Sequence, residues 1–182
     1  MNNKHLKFEN PVRLEELRPL ETLNRIGLKE DHVLADIGAG SGVFTIPAAK
    51  ITENKVYALD INDQMLELIQ EKKTREGLTN IELIKVDGSR FDLPDDSCDI
   101  VLLVTVLHEI KDTTSFIREI KRVMKKDGRI AIIEFHKKET PMGPPVAHRL
   151  GKMEVAEVCI KLDLNPIEQF DLGENYYCSI YI

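Results

Sequence analysis

The sequence predicts a doubly wound α/β domain, and three observations carry that prediction. Strand-like and helix-like segments alternate along the chain, the strand-like segments are apolar along nearly their whole length, and a glycine-rich loop joins the first strand to a helix. Such strands are typical of a parallel sheet covered by helices on both faces. The 182 residues are enough for one domain, and we predict a single domain over residues 1–182.

An apolar stripe precedes the first strand. Leucine or isoleucine recurs every three residues from Leu14 to Ile26, and the stripe closes at Gly27. This spacing indicates a helix, which Pro19 is expected to bend. We therefore predict an amino-terminal helical cap over residues 1–30.

The alternating segments are each bounded by turn or cap residues. Asn62 is a suitable amino-terminal cap for the second of the helices that lie between strands, and Gly77 stands just past its end. Those helices are predicted over residues 43–52, 62–76 and 113–125. The strands are predicted at Val33 to Ile37, Val56 to Asp60, Ile81 to Val86, Asp99 to Thr105 and Arg129 to Phe135.

The last part of the chain departs from this alternation. A predicted helix from Arg149 to Leu162 is followed by two strand-like stretches, Ile167 to Asp171 and Tyr176 to Ile182, with only four residues between them. Parallel neighbours need a crossover of about a dozen residues or more, so the last strand must run antiparallel. The segment 136–149 before this helix lacks periodicity and contains two adjacent prolines, which suggests a stiffened lid loop.

Composition excludes several classes of protein. The chain carries 31 acidic residues against 25 Lys and Arg, a balance that argues against a nucleic-acid partner. No apolar run reaches the roughly 18 residues of a membrane span, and the first residues lack the apolar stretch of a signal peptide. Cys98, Cys159 and Cys178 form no CxxC motif, so we expect buried thiols in the cytoplasm. No spacing of ligands predicts a metal site.

The functional signal is the glycine loop in residues 34–45, LADIGAGSGVFT. Its glycines follow a strand and open a helix, where backbone amides can face a ligand at close range. The dinucleotide fingerprint GxGxxG would place its third glycine at position 43, which is Val43 here. Asp36, two residues before the loop, would repel a pyrophosphate and favour an amine or a sulfonium. An NAD(P)-dependent oxidoreductase is therefore the disfavoured alternative.

Three acids end three consecutive strands beside this loop. Asp60 follows Gly40 by 20 residues, the place from which a carboxylate accepts the hydrogens of ribose hydroxyls. Asp87 could accept from an adenine amino group, with Gly88 letting the ring pack on the backbone. Together with Asp36 they mark the carboxyl edge of the sheet, where open sheets bind ligands.

These motifs together resemble a known family. LADIGAGSGVFT, YALDIN, VDGSRFDLPDDSCDIVLLVTVLHEI and KKDGRIAII are similar to the class I S-adenosylmethionine-dependent methyltransferases, and nearest to the small-molecule group with quinone-biosynthesis and arsenite enzymes and a type 11 domain. The resemblance runs from Phe8 to Ile182. It implies a Rossmann-like sheet of seven strands in the order 3-2-1-4-5-7-6, with strand 7 antiparallel. It also implies S-adenosylmethionine as cofactor, in-line methyl transfer and a small-molecule acceptor.

The resemblance assigns roles to residues, although some have simpler explanations. Met65 also fits the apolar face of its helix, Asp60 could cap a helix, and Asp87 could serve a turn. The implied cofactor-binding residues are Asp36, Gly38, Gly40, Gly42, Asp60, Ile61, Met65, Asp87, Gly88, Val104 and Thr105.

The acceptor side is less well defined by the sequence. His108 and Glu109 follow the fourth strand, and His108 is the candidate base for an acceptor that loses a proton. His136 and Arg149 in the loop could face the acceptor, and Arg149 would suit an anionic one. The scattered cysteines disfavour arsenite. Because no residue is visibly indispensable for catalysis, a non-catalytic cofactor-binding or partner protein stays open; we expect a monomer or homodimer.

Overall fold

The computed structural model describes residues 9–87 and 90–182, and the sheet in this part of the chain has seven strands. The strands are β1 (Leu34–Ile37), β2 (Val56–Asp60), β3 (Ile81–Lys85), β4 (Cys98–Val104), β5 (Met124–Phe135), β6 (Pro166–Leu172) and β7 (Tyr176–Tyr181). Their order across the sheet is β3-β2-β1-β4-β5-β7-β6. Neighbouring strands run parallel, except that β7 is antiparallel to both β5 and β6. The predicted order and the antiparallel last strand are thus confirmed.

The first two helices precede β1, and the later ones lie between strands, as the alternation of segments predicted. They are α1 (Pro11–Leu17), α2 (Pro19–Arg25), α3 (Thr45–Ile51), α4 (Asp63–Arg75), α5 (Thr113–Val123) and α6 (Lys152–Lys161), with 3-10 turns at Leu107–Glu109 and Val146–His148. Asn62 caps α4 as predicted, because its side-chain oxygen accepts from the Gln64 amide at 3.0 Å. In the described residues, no helix has both the length and the apolar character needed to cross a membrane.

The core has two layers, one on each face of the sheet. Along β4, Ile100 and Leu102 belong to the cluster that includes residues of α1 to α4, whereas Val101 and Leu103 face the cluster formed with α5 and α6. All four side chains are fully buried. A strand buried on both faces explains the continuous apolar run IVLLV, and each fully buried side chain contributes about 1.5–3 kcal/mol of burial free energy.

The three cysteines are buried and unpaired, as the sequence predicted. Burial raises the pKa of the Cys98 thiol to about 11 and those of Cys159 and Cys178 to about 12. They lie on β4, α6 and β7. Thiols that stay protonated in the core are unsuited to metalloid capture, because the thiolate is the form that binds.

Several element boundaries differ from the prediction by one or two residues, and three departures are larger. The amino-terminal stripe forms two helices, because Arg18 takes a left-handed conformation (φ +38°) and Pro19 begins α2. Strand β5 begins at Met124 instead of Arg129, and its register against β4 jumps between those two residues. Helix α6 begins at Lys152 instead of Arg149, whose backbone is extended.

Candidate functional site

A cavity of about 420 Å³ lies beside the glycine loop, at the carboxyl ends of the first four strands. We call it the main cavity. Its walls are mostly apolar, and the acidic residues in its lining are Asp60 and Glu109. The lining residues are Ile37, Gly38, Gly40, Asp60, Ile61, Asn62, Met65, Val86, Phe91, Val104, Thr105, Val106, Glu109, Ile110 and Phe116. This is the edge where open α/β sheets bind ligands.

A second, much smaller space of about 30 Å³ adjoins the main cavity, and we call it the inner chamber. The two spaces share Gly38, Gly40 and Val104 as lining residues. Asp36 and Arg13 are the charged residues that line the inner chamber. One end of the site is therefore polar and confined, and the other is wider and apolar.

The glycine loop takes its path because side chains would not fit there. Gly38 has φ +72°, and a Cβ atom on it would lie 2.5 Å from Cγ2 of Val106. Gly42 has φ +80°, and its Cβ would lie 3.0 Å from Ile69 of α4. Both positions need glycine, because the left-handed backbone and the close contacts each disfavour a side chain. Gly38 faces the ligand space, whereas Gly42 packs the loop onto α4 and lines neither cavity.

Asp60 joins the loop to β2. Its Oδ2 accepts a hydrogen bond from the Gly40 amide and its Oδ1 accepts one from the Asn62 amide, both at 2.8 Å. The side chain is 7% exposed and lines the main cavity. Each carboxylate oxygen has lone pairs left, so the fixed group can also accept from ligand hydroxyls.

Asp36 is a buried acid, 2% exposed. Its Oδ2 accepts from the Thr45 hydroxyl at 2.6 Å. Burial raises the pKa of Asp36 to about 7, since the Thr45 hydrogen bond only partly offsets the loss of water and the nearby Asp60 adds to the increase. A cationic ligand group in the inner chamber would favour the ionised form of this acid.

Arg13 is a site residue that sequence reasoning missed. It is 8% exposed, and its two terminal nitrogens donate to the Tyr176 hydroxyl at 3.0 Å and to Thr105 Oγ1 at 3.3 Å. Its Nε and the hydroxyl of Ser41 are buried without a partner among the residues that the structure describes. Since buried polar groups are normally paired, two open donors in one chamber fit an anionic group. The signal was Arg13 four residues before Leu17, on the buried face of α1.

The end of β4 closes the boundary between the two spaces. Val104 lines both of them, and Thr105 lines the main cavity with an unusual backbone, φ +57°. Its amide donates to the Ile133 carbonyl at 2.7 Å and its hydroxyl accepts from Arg13. A threonine in this conformation is strained by about 1–3 kcal/mol, a kind of strain that concentrates at functional sites.

The residues present fit S-adenosylmethionine. Asp36 and Arg13 offer opposite charges for the ammonium and carboxylate of an amino acid, and Asp60 in the main cavity suits a ribose. The apolar walls beyond it suit a flat heterocycle, and Ile61 among them is 66% exposed. The unpaired Arg13 Nε and Ser41 hydroxyl are the observation on which this fit depends.

The remaining predicted cofactor residues lie nearby or outside the described part. Asp87 lines an open depression that shares Ile61 and Val86 with the main cavity. Met65 is buried and lines the main cavity, so it is at once a core residue and a wall of the site. Gly88 lies outside the described residues.

His108 stands on the 3-10 turn after β4. Its Nδ1 lies 2.8 Å from Oε2 of Glu134, and its amide donates to Oε1 of the same carboxyl group at 3.2 Å. Burial alone would lower the pKa of His108, and Arg149 acts in the same direction, but the hydrogen bond and charge of Glu134, with help from Glu109, raise it. Glu134 is fully buried and was missed, although an acid inside the apolar run RIAIIEF was a visible signal.

His136 and Arg149 are not brought to either cavity. Arg149 is 4% exposed, and its guanidinium binds the loop that precedes it. The acceptors of its hydrogen bonds are the carbonyls of His136, Lys138, Met142 and Pro144 and the hydroxyl of Thr140. The His136 ring lies 3.4 Å from Asp171 Oδ1, and burial lowers the pKa of His136. The loop is thus anchored, and movement of residues 136–149 as a lid stays a prediction.

Over residues 9–87 and 90–182, no group of three or more His, Cys, Asp or Glu side chains is placed to hold a metal ion.

Known proteins resemble this chain in sequence and in fold. A methyltransferase domain model of type 11 matches residues 35–132. The structure of a SAM dependent methyltransferase from Aquifex aeolicus is 29% identical and superposes with a TM-score of 0.92 over 98% of this chain and 96% of that one. A ubiquinone/menaquinone biosynthesis C-methyltransferase, UbiE, of Marinomonas sp. is 27% identical over 124 residues, 66% of this chain and 49% of the relative. The chain thus spans about half the length of the curated relatives it matches.

One structural neighbour shows how far the fold alone reaches. The [4+2]-cyclase SpnF is 16% identical, with a TM-score of 0.79 over 91% of this chain and 80% of that one. At this identity the likeness concerns the fold. A protein described as a cyclase shares it, so the reaction has to be argued from the site.

Proposed function

This chain belongs to the type 11 methyltransferase domain family, and from that membership we propose that it transfers a methyl group from S-adenosylmethionine to a small-molecule acceptor. When bound, S-adenosylmethionine supplies a methyl group that its sulfonium already makes electrophilic. The protein has to hold the donor, align the acceptor with the methyl group and exclude water.

One observation carries the proposal: the inner chamber places Asp36 and Arg13 next to a wider cavity that contains Asp60. In our assignment Asp36 and the loop glycines Gly38 and Gly40 hold the methionine part, with Arg13 at its carboxylate, while Gly42 lines neither cavity and packs the loop onto α4. Asp60 accepts from the ribose hydroxyls, and Asp87 and Gly88 meet the adenine edge. Ile61 and Met65 contact the adenine face, and Val104 and Thr105 close the site. A dinucleotide fits less well, because its pyrophosphate would meet the Asp36 carboxyl group.

Calorimetry with S-adenosylmethionine, NAD and NADP separates the two cofactor classes. We expect S-adenosylmethionine to bind and the nicotinamide cofactors to give no heat of binding. Binding of the nicotinamides alone would support the oxidoreductase alternative and overturn the assignment.

Replacing Asp60 tests the assignment at a single residue. Asp60→Ala removes the acceptor of two backbone amides and the proposed ribose ligand, so we expect no measurable binding of S-adenosylmethionine by calorimetry. Circular dichroism should show that the fold survives. The matched control is Asp63→Ala, because Asp63 lies on α4 three residues away and its side chain is 74% exposed. Unchanged affinity in Asp60→Ala would refute the ribose assignment.

Turnover separates an enzyme from a cofactor-binding protein. Release of S-adenosylhomocysteine in the presence of a panel of small acceptors is the expected result. Tight binding of S-adenosylmethionine without release across that panel would favour a non-catalytic role. The curated relatives are named as C-methyltransferases of quinone biosynthesis, and a quinone-related acceptor belongs in the panel for that reason.

The setting of the reaction is also part of the proposal. Free, buried thiols suit a reducing compartment, and we place the protein in the cytoplasm. The excess of acidic residues supports a small-molecule acceptor over a nucleic acid. We propose a monomer or a homodimer, which light scattering would test.

A further inference from the structure

Glu134 and His108 form a buried acid–imidazole pair across the ends of β5 and β4. The Glu134 side chain is fully buried, and the His108 side chain is 9% exposed. Both oxygens of Glu134 contact His108, one through the ring Nδ1 at 2.8 Å and the other through the backbone amide at 3.2 Å. The amide contact fixes the carboxyl group relative to the turn Leu107–Glu109, so the ring is held by two points of one side chain.

This pairing sets the protonation pattern of the ring. A carboxylate can only accept, so Nδ1 of His108 carries the hydrogen that is shared with Glu134. The other ring nitrogen, Nε2, is then an unprotonated acceptor in the neutral imidazole. A base of this form can take a proton at Nε2, and the adjacent carboxylate stabilises the imidazolium that results.

The free nitrogen of the ring lies next to a residue of the main cavity, although His108 itself is not among the residues that line it. Nε2 of His108 is 3.9 Å from Oε1 of Glu109, and Glu109 lines the main cavity while its side chain is 72% exposed. The ring also packs against Phe135, whose ring centroid is 6.1 Å away in an edge arrangement. Glu109 thus links Nε2 to the main cavity, and a ligand there that displaced the exposed Glu109 side chain would approach Nε2.

We propose that Glu134 positions His108 as the general base of this enzyme, and that the methyl acceptor is a small molecule with a hydroxyl group. The proposal rests on the methyltransferase function proposed above. The acceptor oxygen forms the bond to the methyl carbon, the carbon–sulfur bond breaks with its electron pair going to sulfur, and the hydroxyl proton passes to Nε2 of His108. The products are a methyl ether, S-adenosylhomocysteine and an imidazolium paired with Glu134.

The pair discriminates between acceptor classes by the proton that each has to lose. A neutral amine attacks through a lone pair that is already free, and a thiol with a pKa near 8.5 is partly ionised at neutral pH. A phenol, with a pKa near 10, or an alcohol is a poor nucleophile until its proton is removed. A built, buried base therefore serves a hydroxyl acceptor more than the others.

Three charged groups act on His108 from the elements packed around it. Glu134 on β5 and Glu109 on the same turn raise its pKa, and Arg149 after the loop lowers it. Base catalysis needs the neutral ring, so activity should rise with pH through the pKa of His108. Removing the charge of Glu134 should shift this rise to lower pH.

Imidazole ¹⁵N NMR tests the positioning without any acceptor. In the complex with S-adenosylhomocysteine we expect the Nδ1–H form and a raised pKa for His108, identified by its absence in His108→Asn. In Glu134→Gln the pKa should fall and the preference for Nδ1–H should weaken. The matched control is Asp171→Asn, which removes the acid beside His136 and should move only the resonance of that ring. An unchanged pKa of His108 in Glu134→Gln would overturn the positioning role.

Transfer from methyl-labelled S-adenosylmethionine to simple phenols, alcohols, amines and thiols tests the acceptor class. We expect ether products from hydroxyl probes, and in Glu134→Gln a kcat lowered about 100-fold, in line with general-base catalysis. The KM for S-adenosylmethionine should stay within about twofold, and the acid limb of the kcat profile should move to lower pH. A merely structural role for Glu134 would not move that limb.

Two further variants test the role of Glu134 even if Glu134→Gln alone impairs folding. His108→Asn leaves Glu134 buried without its partner, whereas the double variant His108→Asn, Glu134→Gln removes the charge as well. The double variant should be no slower than His108→Asn, since both residues act in one step. Transfer only to amines or thiols, or to no probe by a protein that binds S-adenosylmethionine, would overturn the acceptor class. Failure to bind S-adenosylmethionine would instead contradict the proposed function, and the NMR result would still report on the pair.

Discussion

The two ends of the site are held together in different ways. At the glycine-loop end, backbone geometry and short-range contacts dominate, and polar groups such as Arg13 Nε and the Ser41 hydroxyl are left open. At the His108 end, the polar groups are occupied: both oxygens of Glu134 contact His108, and Arg149 donates to four carbonyls of one loop.

The difference separates a binding surface from a positioning framework. Unpaired donors beside a preformed cavity favour binding of a ligand that pairs with them, because each unpaired buried polar atom lowers the stability of the free protein by about 1–3 kcal/mol. At the other end, the polar groups of Glu134 and Arg149 already pair with groups of the protein. They hold the His108 ring and the neighbouring loop in place around Phe135. We infer that the loop end determines cofactor affinity, whereas the His108 end determines how the acceptor is oriented and deprotonated.

Replacing Arg149 is the strongest test of whether the two ends of the site are independent. Arg149→Met leaves several carbonyls of residues 136–144 without their donor, and hydrogen bonds from a charged group contribute strongly. We expect a loss of about 3 kcal/mol in the free energy of unfolding, measured in urea. Affinity for S-adenosylmethionine should stay within about twofold, because the guanidinium lines neither cavity.

Arg25→Met is the matched control for this change. Arg25 binds the carboxylate of Glu168 at 2.7 Å, but its side chain is 50% exposed, unlike that of Arg149. We expect a cost below about 1 kcal/mol, as for other surface ion pairs. A loss of cofactor affinity in Arg149→Met comparable to that of Asp60→Ala would show that the two ends are not independent.

A change at Gly38 should have the opposite outcome to Arg149→Met, with an effect on cofactor affinity more than on stability. Gly38→Ala places a Cβ atom 2.5 Å from Val106 in a left-handed backbone. We expect a cost of about 2 kcal/mol, expressed mainly as cofactor affinity lowered roughly 30-fold, because the loop must move to accept the methyl group. Calorimetry with S-adenosylmethionine measures the change.

Gly77→Ala separates the two causes in Gly38→Ala. Gly77 has a similar φ of +66°, but a Cβ there would meet no atom within 4 Å. It should cost about 1 kcal/mol of stability from backbone strain alone, with no effect on cofactor affinity. Equal affinity losses in both variants would argue against a direct role of the Gly38 loop in binding.

The fold was largely predictable because its signals are local. Apolar runs that end at glycine or aspartate located β1 to β3, and the four residues between the predicted last two strands required an antiparallel pair. The start of β5 was not predictable, because Met124 joins the sheet through a register jump against β4 that only the paired strands define. The start of α6 was mistaken for a similar reason, since the Arg149 side chain is committed to a loop before the helix.

The same distinction applies to the site. Gly38, Gly40 and Asp60 could be found because their roles follow from strand ends and a short loop. Arg13 could not be assigned in the same way, because it meets Tyr176 163 residues later in the chain. For His108, the sequence indicated a base, but Glu134, 26 residues away, became its partner only when β4 and β5 were placed side by side.

The pH dependence of cofactor binding tests the loop end of the site without any substitution. Burial raises the pKa of Asp36 to about 7, so in the free protein this acid is largely protonated below that pH. A cationic ligand favours the carboxylate, and binding at lower pH must therefore release a proton. Affinity for S-adenosylmethionine should rise by up to about tenfold per pH unit between pH 5 and 7, then level off.

The stability of the free protein depends on pH in the opposite direction: the contribution of Asp36 falls as the pH rises. Because the folded pKa lies above the ordinary value of 3.8, the stability contributed by Asp36 is complete below about pH 4 and is lost as the pH rises through about 7. The charged groups near Asp36 are Asp60 on β2 and Arg13 on α1, while Thr45 on α3 donates to it.

Asp36→Asn removes the titrating group, so both pH dependences should disappear and affinity should be uniformly weaker. Calorimetry at pH 6 in two buffers of different ionisation enthalpy measures the released proton directly. A wild-type protein that releases none would show that the ligand's cationic group does not reach the inner chamber.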